Sequence, residues 1–228
     1  MCGRFAITLP SDAMAQLFSA EPSNDLPDVP NYNVCPTDQI HVVFGTGEDR
    51  RRLATMRWGF LPSWYKATND GPLLINARGE TIAEKPAFRA AARSRRALVI
   101  ASGFYEWTKT PDGVRTPWYI TPTRGEVLVM AAVWQDWTSP DGETLRCCAL
   151  VTTAANATMA RIHHRMPVTL RPEDWRLWLG EAGHGAATLM QAPNEDDLEM
   201  RRVSRAVNSN RASGAELIEP LIDEDDLS

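Results

Sequence analysis

The chain opens Met1-Cys2-Gly3-Arg4, and a small second residue permits removal of the initiator methionine. The product presents a 1,2-aminothiol. An α-amino group has a pKa of about 7.7–8.0 against about 10.4 for lysine, so at neutral pH far more of it is the free amine that attacks aldehydes. The neighbouring thiol, with an ordinary pKa of about 8.5, can add to the resulting imine and close a thiazolidine ring. The dipeptide alone does not separate this chemistry from an incidental cysteine.

Further segments set polar or charged groups beside rigid or aromatic residues. An apolar run ends in Asn76-Ala77-Arg78-Gly79-Glu80-Thr81, where Asn76 is either a turn former or a site residue. Glu106 stands between Tyr105 and Trp107. If buried there its carboxyl would ionise less readily and could move protons near neutrality; facing solvent it is an ordinary strand residue. Half of the four histidines fall in Arg161-Ile162-His163-His164-Arg165-Met166-Pro167, a setting suited to proton transfer. Adjacent histidines seldom share one ion and no acid or cysteine stands at ligand spacing, so no metal is expected. His41 alternates with apolar residues and reads as structural, while His184 in a glycine-rich stretch reads as surface. The run from Arg57 through Trp58, Phe60 and Trp64 interleaves aromatics, turn residues and a cation, a composition able to stack on unpaired bases. Most of the eight tryptophans, including Trp134, Trp175 and Trp178, are expected in the core.

The elements that must hold these groups are mostly strands. Residues 10–20 read as a short amphipathic helix with Ser11 as cap, 25–36 as a loop, and 40–44 with 53–58 as a strand pair. A capping-box pattern from Thr81 to Glu84 predicts a helix to about Arg93, with Pro86 suited to its first turn. A short apolar strand covers 97–101, and Pro111-Asp112-Gly113 and Pro140-Asp141-Gly142 mark two hairpins, the second flanked by buried strands at 127–134 and 145–152. Short helices follow near 156–161 and at 172–179, the latter stopped by Gly180. Strands interrupted by isolated helices, without regular alternation, indicate an α+β domain on mainly antiparallel sheet.

The length of 228 residues suits one domain, and no apolar run approaches a membrane span or a signal peptide. A soluble, cytoplasmic protein is expected. Cys2, Cys35, Cys147 and Cys148 lack metal or disulfide spacing, and Cys147-Cys148 within an apolar run reads as buried thiol. The net charge of −5 is unevenly spread: residues 195–228 carry −6, which leaves +1 for residues 1–194. Arginines cluster at 50–52 and 93–96 within that body. A domain over 1–222 with an acidic tail over 223–228 is the expected organisation.

In order along the chain, MCGRF, YNVCPT, RWGFLPSW, INARGET, SGFYEW, IHHRMP and VNSNR resemble the SOS-response-associated peptidase (SRAP) family. The resemblance spans nearly the whole chain. It implies a barrel-like β core flanked by short helices and a positively charged groove for single-stranded DNA beside the processed N-terminus. It implies further that Cys2 crosslinks to the ring-opened sugar of an abasic site, with Asn76 and Glu106 flanking it and His163 as acid-base group. Arg4, Arg78 and Arg165 would hold phosphates, and Pro36, Trp58, Phe60 and Trp64 would line or wedge the groove. No cofactor is implied, a monomer is expected, and a lyase side activity is compatible with the same groups. Cys35 stands where the family often has alanine and His164 where it often has an acid. Two other functions compete: a cysteine peptidase acting on its own N-terminus, and a non-covalent reader of modified bases.

Overall fold

In a computed structural model of the chain, residues 2–125 and 127–221 are described. Thirteen strands follow one another: β1 (Phe5–Ile7), β2 (Ala20–Pro22), β3 (Asn31–Val34), β4 (Gln39–Gly47), β5 (Arg50–Trp58), β6 (Asn76–Arg78), β7 (Arg96–Ala101), β8 (Gly103–Lys109), β9 (Arg115–Pro122), β10 (Leu128–Thr138), β11 (Thr144–Ala154), β12 (Arg165–Pro167) and β13 (Leu198–Arg202). Among the described residues four short α-helices punctuate them: α1 (Ser11–Phe18), α2 (Arg89–Ser94), α3 (Ala157–Ala160) and α4 (Trp175–Leu179).

Five strands close into a barrel. β5, β4, β7, β10 and β11 pair antiparallel in turn, and β11 returns to β5 in parallel through Cys147 opposite Arg57 and Cys148 opposite Trp58. Closure removes the free edges that a long apolar sheet would otherwise expose. A second sheet, in the order β13, β9, β8, β1 and β3, packs beside it. Every residue of β7 from Ala97 to Ala101 is buried, as expected of a strand covered on both faces. Helices plug the flanks: Phe18 of α1 meets Trp175 of α4 with ring centroids 4.4 Å apart, and the Trp178 indole donates to the Ala97 carbonyl at 2.8 Å. Gly180, at φ 86°, ends α4 in the left-handed conformation. The fold is α+β, as the sequence predicts.

Three local expectations are corrected. The proposed loop over 25–36 contains β3, because Asn31 and Val34 find partners on β1 that override their local preferences. The helix expected from Thr81 is only a series of turns until α2 begins at Arg89; Thr81 accepts N–H groups of Glu84 and Lys85, but no continuous ladder follows. Ser11 is the first helical residue rather than the cap, and its hydroxyl lies 3.3 Å from His41 Nε2. The residues of the expected acidic tail, 223–228, lie outside the described residues.

Candidate active site

Cys2 enters the fold buried, just ahead of β1. Arg4 anchors this entry: its carbonyl accepts the Tyr105 N–H at 2.9 Å and the Cys2 thiol at 3.9 Å. From the neighbouring sheet, β6 pairs in parallel with β11 and carries Asn76 to the same place, where Asn76 Nδ2 donates to the Cys2 carbonyl at 2.9 Å. Asn76 Oδ1 is buried with no hydrogen-bond partner among the described residues. Burial first, and the charge of Glu106 second, hold the Cys2 thiol far above its ordinary pKa. Cys2 is therefore a neutral thiol at rest.

Next to Cys2, a cavity of about 490 Å³ is lined by Gly3, Arg4, Glu106, Trp107, Lys109, Arg115, His163 and Asn208. Glu106 is 3% exposed, which answers the open question of its orientation in favour of burial. Gly103 lets β8 pass this close to β9, since a Cβ there would sit 2.5 Å from the Tyr119 ring. His163 stacks on the exposed His164 with centroids 4.3 Å apart, and the charge of His163 pushes the His164 pKa down. The Arg165 N–H donates to His163 Nδ1 at 2.9 Å, so the neutral ring carries its proton on Nε2.

The cations divide into two kinds. Arg4 donates to Asn33 Oδ1 at 2.5 Å and to the Val207 carbonyl at 3.1 Å, which holds its guanidinium 5.9 Å from the Trp107 ring. Arg78 is exposed at the end of β6, close enough to bear on the charge of His164. Arg165, by contrast, is buried and forked onto Glu80, with Nη2 also on the Thr152 carbonyl at 2.8 Å. Lys109 and Arg115 went unnoticed in the sequence. The β8–β9 register puts them opposite each other, and Arg115 lies 5.1 Å over Trp107. A register count from the Pro111-Asp112-Gly113 turn would have found the pair.

The aromatics expected to line a groove are not all at the surface. Trp58 is fully buried, packs on Phe5 at 5.2 Å and donates to the Ile75 carbonyl at 3.0 Å. Phe60 is 1% exposed against Phe88, and its N–H meets the Leu74 carbonyl at 2.9 Å. Neither ring offers a face to a base here; both brace the approach to Asn76 from inside. Strand parity carried the signal, because Trp58 shares a face with the buried Ala54 and Met56. Trp64 is the exposed one at 55%, edge-on to Tyr65. Pro36 is half-buried in a turn whose next residue, Thr37, donates to the Trp58 carbonyl at 2.8 Å.

The profile of the family described as SOS response associated peptidase (SRAP) matches residues 1–210. The chain is 35% identical over 225 residues to the abasic site processing protein YoqW of Bacillus subtilis (strain 168), covering 96% of this chain and 99% of that one. To the abasic site processing protein YedK of Escherichia coli (strain K12) it is 32% identical, covering 97% and 100%. To the abasic site processing protein HMCES of Rattus norvegicus it is 29% identical, covering 96% and 76%. A crystal structure of a Bacteroides thetaiotaomicron protein superposes with a TM-score of 0.85 at 20% identity, over 97% of this chain and all of that one, so the fold is shared. On this evidence the chain belongs to the SRAP family.

Proposed function

We propose that this chain captures abasic sites in single-stranded DNA covalently, through Cys2 exposed by removal of Met1. The observation that carries the reading is the Asn76 amide: it fixes the Cys2 carbonyl with Nδ2 and keeps Oδ1 as a buried acceptor that no described residue occupies, suited to an N–H of the Cys2 α-amine. The relatives' names, abasic site processing proteins, support the substrate class.

The α-amine attacks the aldehyde carbon of the ring-opened sugar, and the carbonyl oxygen takes up a proton to give a carbinolamine. Loss of water leaves an imine, which the Cys2 sulfur attacks while nitrogen receives the thiol proton. The product is a thiazolidine, and one water is lost overall. Proton transfers at oxygen and nitrogen fall to Glu106 and His163, which line the same cavity. Arg4 and Arg78 meet backbone phosphates, Arg165 retains only part of its donor set for that task, and Trp64 and Pro36 remain available to flank the strand. A missing base leaves room for the N-terminus, and a single strand needs no unpairing.

A peptidase reading requires a thiolate, whereas burial and Glu106 oppose ionisation of Cys2. A base reader requires several exposed aromatic faces, and with Trp58 and Phe60 in the core only Trp64 of the three aromatics named for that role is exposed. Intact-mass measurement tests the proposal. The purified protein should lack Met1 and, with an abasic single-stranded oligonucleotide, gain its mass less one water; a Met1-free protein that forms no adduct overturns it.

A further inference from the structure

Arg165 sits directly behind His163, and its side chain leads to Glu80. The Arg165 side chain is 10% exposed and that of Glu80 46%, with Nη1 to Oε1 at 2.6 Å and Nη2 to Oε2 at 2.9 Å. Thr152 supplies the rest of the seat, its carbonyl at 2.8 Å and its hydroxyl at 3.1 Å from Nη2. A buried cation of this kind depends on its partner, since removing one member of such a pair leaves an uncompensated charge. Glu80 belongs to the segment that supplies Asn76 and Arg78, so the fork ties that segment to β12. β12 itself is three residues long at a sheet edge, with few ladder bonds of its own.

The backbone of the same arginine holds the imidazole. His163 Nδ1 lies 2.9 Å from the Arg165 N–H and 3.1 Å from the Arg165 carbonyl. The neutral ring accepts the first; the imidazolium can donate to the second. Arg165 therefore serves both protonation states, and a small displacement of its backbone would change which one is preferred.

We infer that Glu80 is a positioning residue for His163, acting through the Arg165 guanidinium. The inference rests on the proton-transfer role proposed above for His163. Other charges facing this histidine are the stacked His164, and Glu106, Arg4, Lys109 and Arg115 around the cavity, with Arg78 beside His164. Most of these are cations. Neutralising Glu80 leaves Arg165 uncompensated, adds to that positive field and disfavours the imidazolium.

The test is a histidine titration of the whole protein by NMR, with His163 assigned by a His163→Gln variant. In Glu80→Gln the His163 midpoint should fall below that of the parent, and its ring nitrogen shifts should report a changed tautomer balance. Glu80→Asp, which keeps the charge, should return the midpoint toward that of the parent. The pH limb of adduct formation should move with the titration. A folded Glu80→Gln whose His163 midpoint and nitrogen shifts match the parent overturns the inference, as does a variant altered only in the salt dependence of DNA binding. If Glu80→Gln does not fold, Glu80→Asp alone carries the test: its drawn-back carboxylate should give a smaller fall, and no change overturns the inference. Because the titration uses no DNA, a moved midpoint in a parent that forms no adduct would keep the Glu80 relay and refute covalent capture instead.

Discussion

Two sets of basic residues are used in opposite ways. On the barrel flank, Arg51 forks onto Glu181 at 2.7 Å and caps the Phe18 carbonyl, Arg95 donates to the Trp134 carbonyl, and Arg96 donates to the carbonyls of Trp178, Ala92 and Arg93. At the cavity, Lys109 and Arg115 line a space instead of filling one, while Arg4 combines both uses, lining that space and donating to Asn33 Oδ1 and the Val207 carbonyl. The flank set is drawn from the dense runs at 50–52 and 93–96, which by composition alone look most like a nucleic-acid footprint; the cavity set is scattered over the chain. Availability is set by the carbonyls and carboxylates that fold against a cation, not by how many cations stand in a row.

The contrast is most exposed to failure at Arg96, where burial already lowers the guanidinium pKa. Arg96→Ala strips a donor from three carbonyls, two of them at the end of α2, and should lower unfolding stability by about 2–3 kcal/mol in a denaturant titration. DNA affinity of the folded variant should not change. At the cavity the pattern should reverse: Lys109→Ala and Arg115→Ala should alter stability by less than about 0.5 kcal/mol, while each lowers the slope of log affinity against log salt by about one. Equal effects of Arg96 and Arg115 on that slope would dissolve the distinction.

The smallest effect separates the histidines. His41 is 2% exposed in the barrel wall, and desolvation pushes its pKa below the ordinary value. The unfolded chain then takes up the proton first as pH falls, so this stabilisation is complete above about pH 6.5 and erodes as pH drops through that value toward the lower folded pKa. His41→Gln should flatten the thermal midpoint against pH over that window; an unchanged profile would show that His41 is not responsible.

Much of this arrangement was legible because it depends on local pattern. Period-two apolar runs and the turns at Pro111 and Pro140 marked the hairpins, and Gly180 ended α4 where expected. Asn31 and Asn33 hid β3, because turn-forming side chains there are held by partners distant in sequence: Asn33 Nδ2 reaches the Ala212 carbonyl at 2.6 Å. The same distance hid half of the cavity. Glu106 and His163 could be nominated singly, but only the β8–β9 register and the edge strand β12 make neighbours of Lys109, Arg115 and His163. Composition could rank Trp58 and Phe60 as stackers, yet the closure of β11 onto β5 turned them inward.

Covalent capture by the aminothiol is most directly tested by Cys2→Ser, which still permits methionine removal and keeps a free α-amine. A hydroxyl is a far weaker nucleophile than a thiol, so the imine should form but the ring should not close. With abasic single-stranded DNA the parent should give a heat-stable adduct unaided, and Cys2→Ser a covalent product only when borohydride reduces the imine. A heat-stable Cys2→Ser adduct formed without reductant would contradict the mechanism.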